Sequence, residues 1–144
     1  MKSFGFIDTD VLIQINQQKS LQQILDESDH LNLRAIEEQE IMKLNIRNHV
    51  IATGGSAAYS TNAMSHLLNI SKVIFLEVRF DEIKKRIHNF KTRGIAKSEK
   101  QTFKDLYDER QSLYKKYAEI AIDCNRLDQE EIAMQISDAI KDSA

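Results

Sequence analysis

Val50-Ile51-Ala52-Thr53-Gly54-Gly55-Ser56 is a short run of strand-forming residues that stops at two adjacent glycines. The chain has 4 glycines and 0 prolines in 144 residues, so a glycine pair directly after an apolar run is not filler. Without a Cβ, such a turn lets an oxygen-rich ligand approach backbone N–H groups closely; the same pair also suits a tight turn that needs positive φ. Its strand-forming part belongs to a strand read as His49 to Thr53, and three other stretches share its character: Phe4 to Asp8, Lys72 to Val78 and Ile120 to Cys124. Val50-Ile51-Ala52 and Val73-Ile74-Phe75-Leu76 are continuously apolar, as expected of strands covered on both faces. Between the runs apolar residues recur at helical spacing: Phe80, Ile83, Ile87 and Phe90; then Phe103, Leu106, Tyr107, Leu113, Tyr114 and Tyr117; then Ile132, Ile136, Ala139 and Ile140. Strands alternating with helices predict an α/β fold, a parallel sheet with helices on both faces, in one domain spanning 1–144. Ligands of such sheets bind outside the carboxyl ends of the strands, so the residues just after each run are the candidates.

Composition narrows the partners. Lys+Arg 20 against Asp+Glu 22 leaves a formal charge of -2, no footprint for a nucleic-acid backbone or an anionic membrane surface. An anionic ligand must then be met by a few placed cations. No apolar run approaches the roughly 20 residues that cross a bilayer. The single Cys124 forms no internal disulfide and the N-terminus lacks a signal-peptide pattern, so a cytoplasmic protein is expected. Cys124 reads as a small buried hydrophobe, and His30, His49, His66 and His88 show no ligand spacing.

Asp8 and Asp10 end the first strand and open a helix. Two carboxylates one residue apart suit a Mg²⁺ ion held partly through water and a substrate hydroxyl; equally, Asp10 suits a helix cap before Val11. Arg34 lies on a helix with Leu33, Ile36, Ile41 and Leu44 as its apolar side, one turn before Glu37 and Glu38. Its guanidinium fork matches a ligand carboxylate with an adjacent Glu to hold it, or it makes an ordinary local ion pair. Arg93-Gly94 and the polar stretch after it read as a lid over about 91–103, or as a solvated loop. Arg110, beside Tyr107 and Leu113 on the Phe103 to Tyr117 helix, is a ligand cation or a snorkelling surface arginine.

Taken in order, Phe6-Ile7-Asp8-Thr9-Asp10, Leu33-Arg34 with Glu37, Val50-Ile51-Ala52-Thr53-Gly54-Gly55, Arg93, and Arg110 with Leu113-Tyr114 resemble a shikimate kinase over nearly the whole chain. The resemblance implies a three-layer P-loop kinase-like fold with family strand order 2-3-1-4-5. It also implies ATP- and Mg²⁺-dependent phosphorylation of the 3-hydroxyl of shikimate in aromatic amino-acid biosynthesis. By motif matching, Asp10 orients and helps deprotonate the attacking hydroxyl, and Asp8 holds the Mg²⁺ shell. Arg34 and Arg110 clamp the substrate carboxylate, while Gly54 and Gly55 present backbone groups to the ring. Arg93 is the lid arginine that meets the phosphates, and Asn125-Arg126 falls where the family contacts adenine.

Three departures accompany the resemblance. Ser56 stands where the family usually has a third glycine, Gly94 where it usually has a proline, and no GxxxxGK(S/T) phosphate loop occurs in the sequence. The chain opens where the family's second strand begins, so the first strand, its loop and a helix are expected to be missing, by N-terminal truncation of a working kinase. The inner strands His49 to Thr53 and Lys72 to Val78 then lack their shared neighbour. The expectations are a chain nearly inactive by itself, monomeric if complete and self-associating if truncated, with shikimate or a similar hydroxy acid as partner. Two alternatives stand beside this reading: another small-molecule P-loop kinase, such as one for gluconate or a nucleoside, and a non-catalytic remnant that binds a small carboxylic acid or a partner.

Overall fold

The computed structural model describes residues 4–86 and 100–143. In chain order these form β1 (Gly5–Asp8), α1 (Thr9–Gln17), α2 (Leu21–Glu27), α3 (His30–Met42), β2 (His49–Ala52), a 3₁₀ turn (Ala57–Tyr59), α4 (Thr61–Ile70), β3 (Ile74–Glu77), α5 (Phe80–Arg86), α6 (Phe103–Tyr117), β4 (Ile120–Asp123) and α7 (Gln129–Ser143). Each strand falls inside one of the four runs read from the sequence. Ile87, Phe90, Arg93, Gly94 and most of the expected lid lie outside the described residues.

Local chemistry starts the helices. Asp8, still in extended backbone at φ -110° and ψ 115°, accepts from Asp10 N and Val11 N and so caps α1. This corrects the reading of Asp10 as the cap: the capping oxygen must come from the last non-helical residue, and the strand runs through Asp8. Ser20 with Gln23 and Thr102 with Asp105 form reciprocal capping boxes at α2 and α6. Asp29 caps α3 and Ser60 caps α4. Gln18 closes α1 in the left-handed region at φ 56°.

Two apolar clusters carry the packing. Ile13, Ile24 and Leu33 join α1, α2 and α3. Ile41, Ala57, Ala58, Ala63, Met64 and Leu67 tie α3, the 3₁₀ turn and α4 together, with Leu113 and Tyr114 of α6 packed against them. Burying one such Ile or Leu side chain contributes about 1.5–3 kcal/mol. Ala57 and Ala58 thereby pin the turn that follows Gly54-Gly55. Cys124 is buried, as expected of a small hydrophobe.

Both strand pairs are parallel. β1 pairs β2 with Asp8 opposite Ala52, and β3 pairs β4 with Glu77 opposite Asp123. Among the described residues these are two separate two-stranded sheets, and β2 does not pair with β3. A cavity of about 260 Å³ lies there, lined by Ile51, Phe75, Leu76 and Tyr114 among others. The expectation that the inner strands are covered on both faces is not met by the described residues. Val50 is 52% and Leu76 44% exposed, because the packing elements described cover only the side bearing Ile51 and Phe75. A continuous apolar run shows what a strand is suited to, not what stands beside it.

The helix α6 spans the gap. Tyr107 and Tyr114, two turns apart and so on one face, donate to Val78 O and Gly55 O, the carbonyls just beyond the carboxyl ends of β3 and β2. Tyr114 also packs on Phe75 with ring centroids 5.2 Å apart. Among the described residues, no helix is long and apolar enough to cross a membrane.

Candidate active site

The carboxyl end of β2 is where the predicted side chains meet. A Cβ placed on Gly54 would stand 2.5 Å from Asp10 Oδ1 and 2.7 Å from Glu37 Oε2. A Cβ on Gly55 would collide with Arg110 Nη1 and lie 2.9 Å from the Tyr114 hydroxyl. No positive φ accompanies either glycine, so the pair is required by close approach and not by a left-handed turn. Asp10 comes from the first turn of α1, Glu37 and Arg34 from α3, and Arg110 from α6. Their helices are fixed by the caps and clusters described above.

The two arginines share an aromatic neighbour. Arg34 Cζ lies 3.6 Å from the centroid of the Tyr59 ring, and Arg110 Cζ lies 5.8 Å from it. Burial pushes the Arg34 pKa down; the Tyr59 phenol opposes this and the nearby Arg110 charge adds to it. Glu109 and Glu37 also act on Arg34 by charge, in the direction opposite to burial; a guanidinium fork matches the plane of a carboxylate.

The acidic groups respond to the same enclosure. Asp10 is raised by burial and by the Asp8 charge, against the pull of Arg110. Glu37, 3% exposed, is pushed up to about 7, chiefly by burial, with Asp10 adding to the rise; the hydroxyl of Ser56 and the charges of Arg110 and Arg34 work against it. Ser56 Oγ donates to Glu37 Oε1, and Ser60 Oγ donates to Glu38. Glu37 therefore holds its proton up to about neutral pH in the folded state. Its contribution to stability is full below about pH 4.5, where both states hold the proton, and is lost as pH rises through about 7. The loss is on the order of 3 kcal/mol. In urea unfolding between pH 5 and 8, Glu37→Gln is expected to flatten most of this decline, leaving the smaller share that Asp10 contributes in the same direction. An unchanged slope in the variant would show that Glu37 titrates normally.

The remaining candidates divide. Asp8 uses one carboxylate oxygen to cap α1, and the other remains able to hold a water of a Mg²⁺ shell. Among the described residues no group of three or more His, Cys, Asp or Glu gathers to hold a metal ion. One carboxylate with waters and phosphate oxygens is how Mg²⁺ is commonly held, so Asp8 fits it. Asn125 and Arg126 follow β4 and are not among the groups around Gly54 and Gly55. The Asn125 amide is committed to structure, accepting from Arg79 N and donating to Asp123 Oδ1. The described residues include no phosphate cradle, and Arg93 lies outside them.

Sequence reasoning missed Tyr59, Glu109 and the part played by Ser56. Tyr59 donates its hydroxyl to Glu109, one position before Arg110 on α6. The available signal was an aromatic residue in the otherwise small and polar stretch from Gly54 to Ser60.

Comparisons with known proteins place the chain as a whole. The chain is 32% identical to a shikimate kinase of Staphylococcus haemolyticus over 127 residues, 87% of this chain and 73% of that one. It is 34% identical to a shikimate kinase of Helicobacter hepaticus over 125 residues, 81% of this chain and 69% of that one. Its fold superposes with a TM-score of 0.87 on a shikimate kinase from Acinetobacter baumannii solved in complex with shikimate, at 23% identity, covering 97% of this chain and 80% of that one. The Aquifex aeolicus shikimate kinase structure gives a TM-score of 0.75 at 20% identity, with coverage of 97% and 82%. The family model for shikimate kinase matches residues 1–141, and with these relatives it shows that the chain belongs to the shikimate kinase family, with the P-loop kinase fold and the kinase function of that family.

Proposed function

We propose that the site around Gly54 and Gly55 takes shikimate as phosphoryl acceptor. Arg34 and Arg110 hold its carboxylate, Asp10 accepts the hydrogen bond of its 3-hydroxyl and orients it, and the two glycines let the ring lie against the backbone. Shikimate kinases as a family use ATP and Mg²⁺, which supply the transferred phosphoryl group and neutralise its charge. Here Asp8 would hold the Mg²⁺ shell, and Arg93 and Asn125-Arg126 are the positions assigned to the nucleotide. Phosphoryl transfer asks little covalent work of a protein, so holding the acceptor hydroxyl in one place is the main task of these residues. A cytoplasmic setting, with a small hydroxy acid as partner, accords with the charge balance and the single cysteine.

The observation that carries this reading is the gathering of Asp10 and Glu37 on Gly54 beside Arg110 on Gly55, with Arg34 and Arg110 near one aromatic ring. Two arginines brought together favour an acid over a nucleoside substrate. Titration calorimetry with the 144-residue polypeptide tests it. Shikimate is expected to bind at least about tenfold more tightly than its methyl ester, since a charge-assisted pair is about twice as strong as a neutral one; gluconate keeps the carboxylate but has no ring to lie against Gly54 and Gly55, so it is expected to bind more weakly than shikimate. Equal affinity for acid and ester would remove the carboxylate clamp; tighter binding of gluconate would favour the other small-molecule kinase reading.

A further inference from the structure

Tyr59 sits at the end of the 3₁₀ turn that Ala57 and Ala58 anchor in the core, and its side chain reaches both substrate-facing helices. On the α3 side its ring lies under the Arg34 guanidinium at 3.6 Å. On the α6 side its hydroxyl donates to Glu109, and Arg110 Cζ is 5.8 Å from its centroid. The same segment gives Ser56 to Glu37 and Ser60 to Glu38, so three hydroxyls of one turn hold three carboxyl groups around the arginines. Tyr59, Arg34, Glu37 and Ser56 also line a cavity of about 320 Å³ between α3 and the turn, whose walls do not include Asp10, Gly54, Gly55 or Arg110.

We propose that Tyr59 is the positioning residue that sets the spacing and tilt of the Arg34–Arg110 pair, and thereby the preference of this site for a planar carboxylate. The inference rests on the carboxylate-clamp reading above and adds to it a residue outside the motifs that carry the family resemblance. The physical case is direct. Glu37 acts by charge on both arginines and Glu109 on Arg34, but charge alone sets no tilt; the negative face of the aromatic ring attracts each guanidinium at a defined orientation. A flat ring under a guanidinium also fixes the plane of its donor fork, and a carboxylate takes two parallel hydrogen bonds only when it shares that plane. The Tyr59–Glu109 bond fixes the ring in turn, since Glu109 adjoins Arg110 on the same helix.

The test compares shikimate with its methyl ester on the full polypeptide, by calorimetry, in the wild type and in Tyr59→Phe, Tyr59→Leu and Tyr59→Met. Tyr59→Leu is expected to weaken shikimate about tenfold and the uncharged ester less than about twofold, collapsing the acid-over-ester ratio. Tyr59→Phe keeps the ring and is expected to hold shikimate within about threefold of wild type. If the leucine variant does not fold by circular dichroism, Tyr59→Met keeps apolar volume without a π face and gives the same readout. A retained ratio in the leucine or methionine variant, or a parallel loss for acid and ester, overturns the proposal. A wild-type protein that fails to prefer the acid sinks the clamp as well, whereas a discriminating wild type with discriminating Tyr59 variants sinks this inference alone.

Discussion

Mixed with shikimate, ATP and Mg²⁺, the 144-residue polypeptide is expected to transfer phosphate at a rate at least about three orders of magnitude below that of a family member with its phosphate loop, while still binding shikimate. In the proposed reading the two arginines near the Tyr59 ring both serve the acceptor carboxylate, which leaves neither for the phosphates. No GxxxxGK(S/T) occurs in the sequence to aim backbone amides and a lysine at the transferring group. Loss of a single preorganised donor commonly costs about 10²–10³ in turnover, and here a whole cradle is in question. A coupled assay for ADP release with shikimate as acceptor measures the rate, and calorimetry on the same sample measures acceptor binding. Turnover near that of an intact family member would show that other residues cradle the phosphates. Loss of both binding and turnover would instead point to a remnant with no acceptor site.

The second large effect belongs to Arg110. Arg110→Met is expected to weaken shikimate binding on the order of a hundredfold, since removing one partner of an enclosed charge pair costs about 2–5 kcal/mol. Methionine keeps much of the apolar stem, so the packing of α6 on the core is retained. Arg110→Lys should recover only part of the loss, because an ammonium is a point charge without the planar fork. Calorimetry at fixed salt measures both variants, and thermal unfolding checks that α6 remains in place. If Arg110→Met binds shikimate as wild type does, Arg110 serves only Gly55 and Tyr114, and the clamp must be sought elsewhere.

How much of this was legible in the sequence follows from how far each signal reaches. Strand ends and helix faces single out Asp10, Gly54-Gly55, Arg34 and Arg110, but a cap, a tight turn, an ion pair or a snorkelling arginine accounts for each alone; what joins them is their order along the chain, which resembles the family. The cap of α1 was read two residues late, at Asp10 rather than Asp8, because the end of a strand and the start of a helix overlap where backbone dihedrals decide. Gly54 and Gly55 were legible as special, but not the reason: the requirement comes from Asp10, Glu37 and Arg110 on three other elements. Tyr59 was invisible for the same reason. Its meaning lies in Arg34, before it on α3, and in Glu109 and Arg110, 50 positions or more beyond it. The exposure of Val50 and Leu76 was not foreseen because a run of apolar residues records a preference and not a neighbour.

The bridging of both strand pairs by the tyrosines of α6 has a practical side. The chain has 0 Trp and 4 Tyr, at positions 59, 107, 114 and 117, so its intrinsic ultraviolet emission arises from phenols on or beside the crevice. Tyr59 touches a carboxylate, while Tyr107 and Tyr114 donate to the carbonyls of Val78 and Gly55, beyond the ends of β3 and β2. The molecule thus carries its own unlabelled optical probe, in which the light emitted follows what happens at the mouth of the sheet.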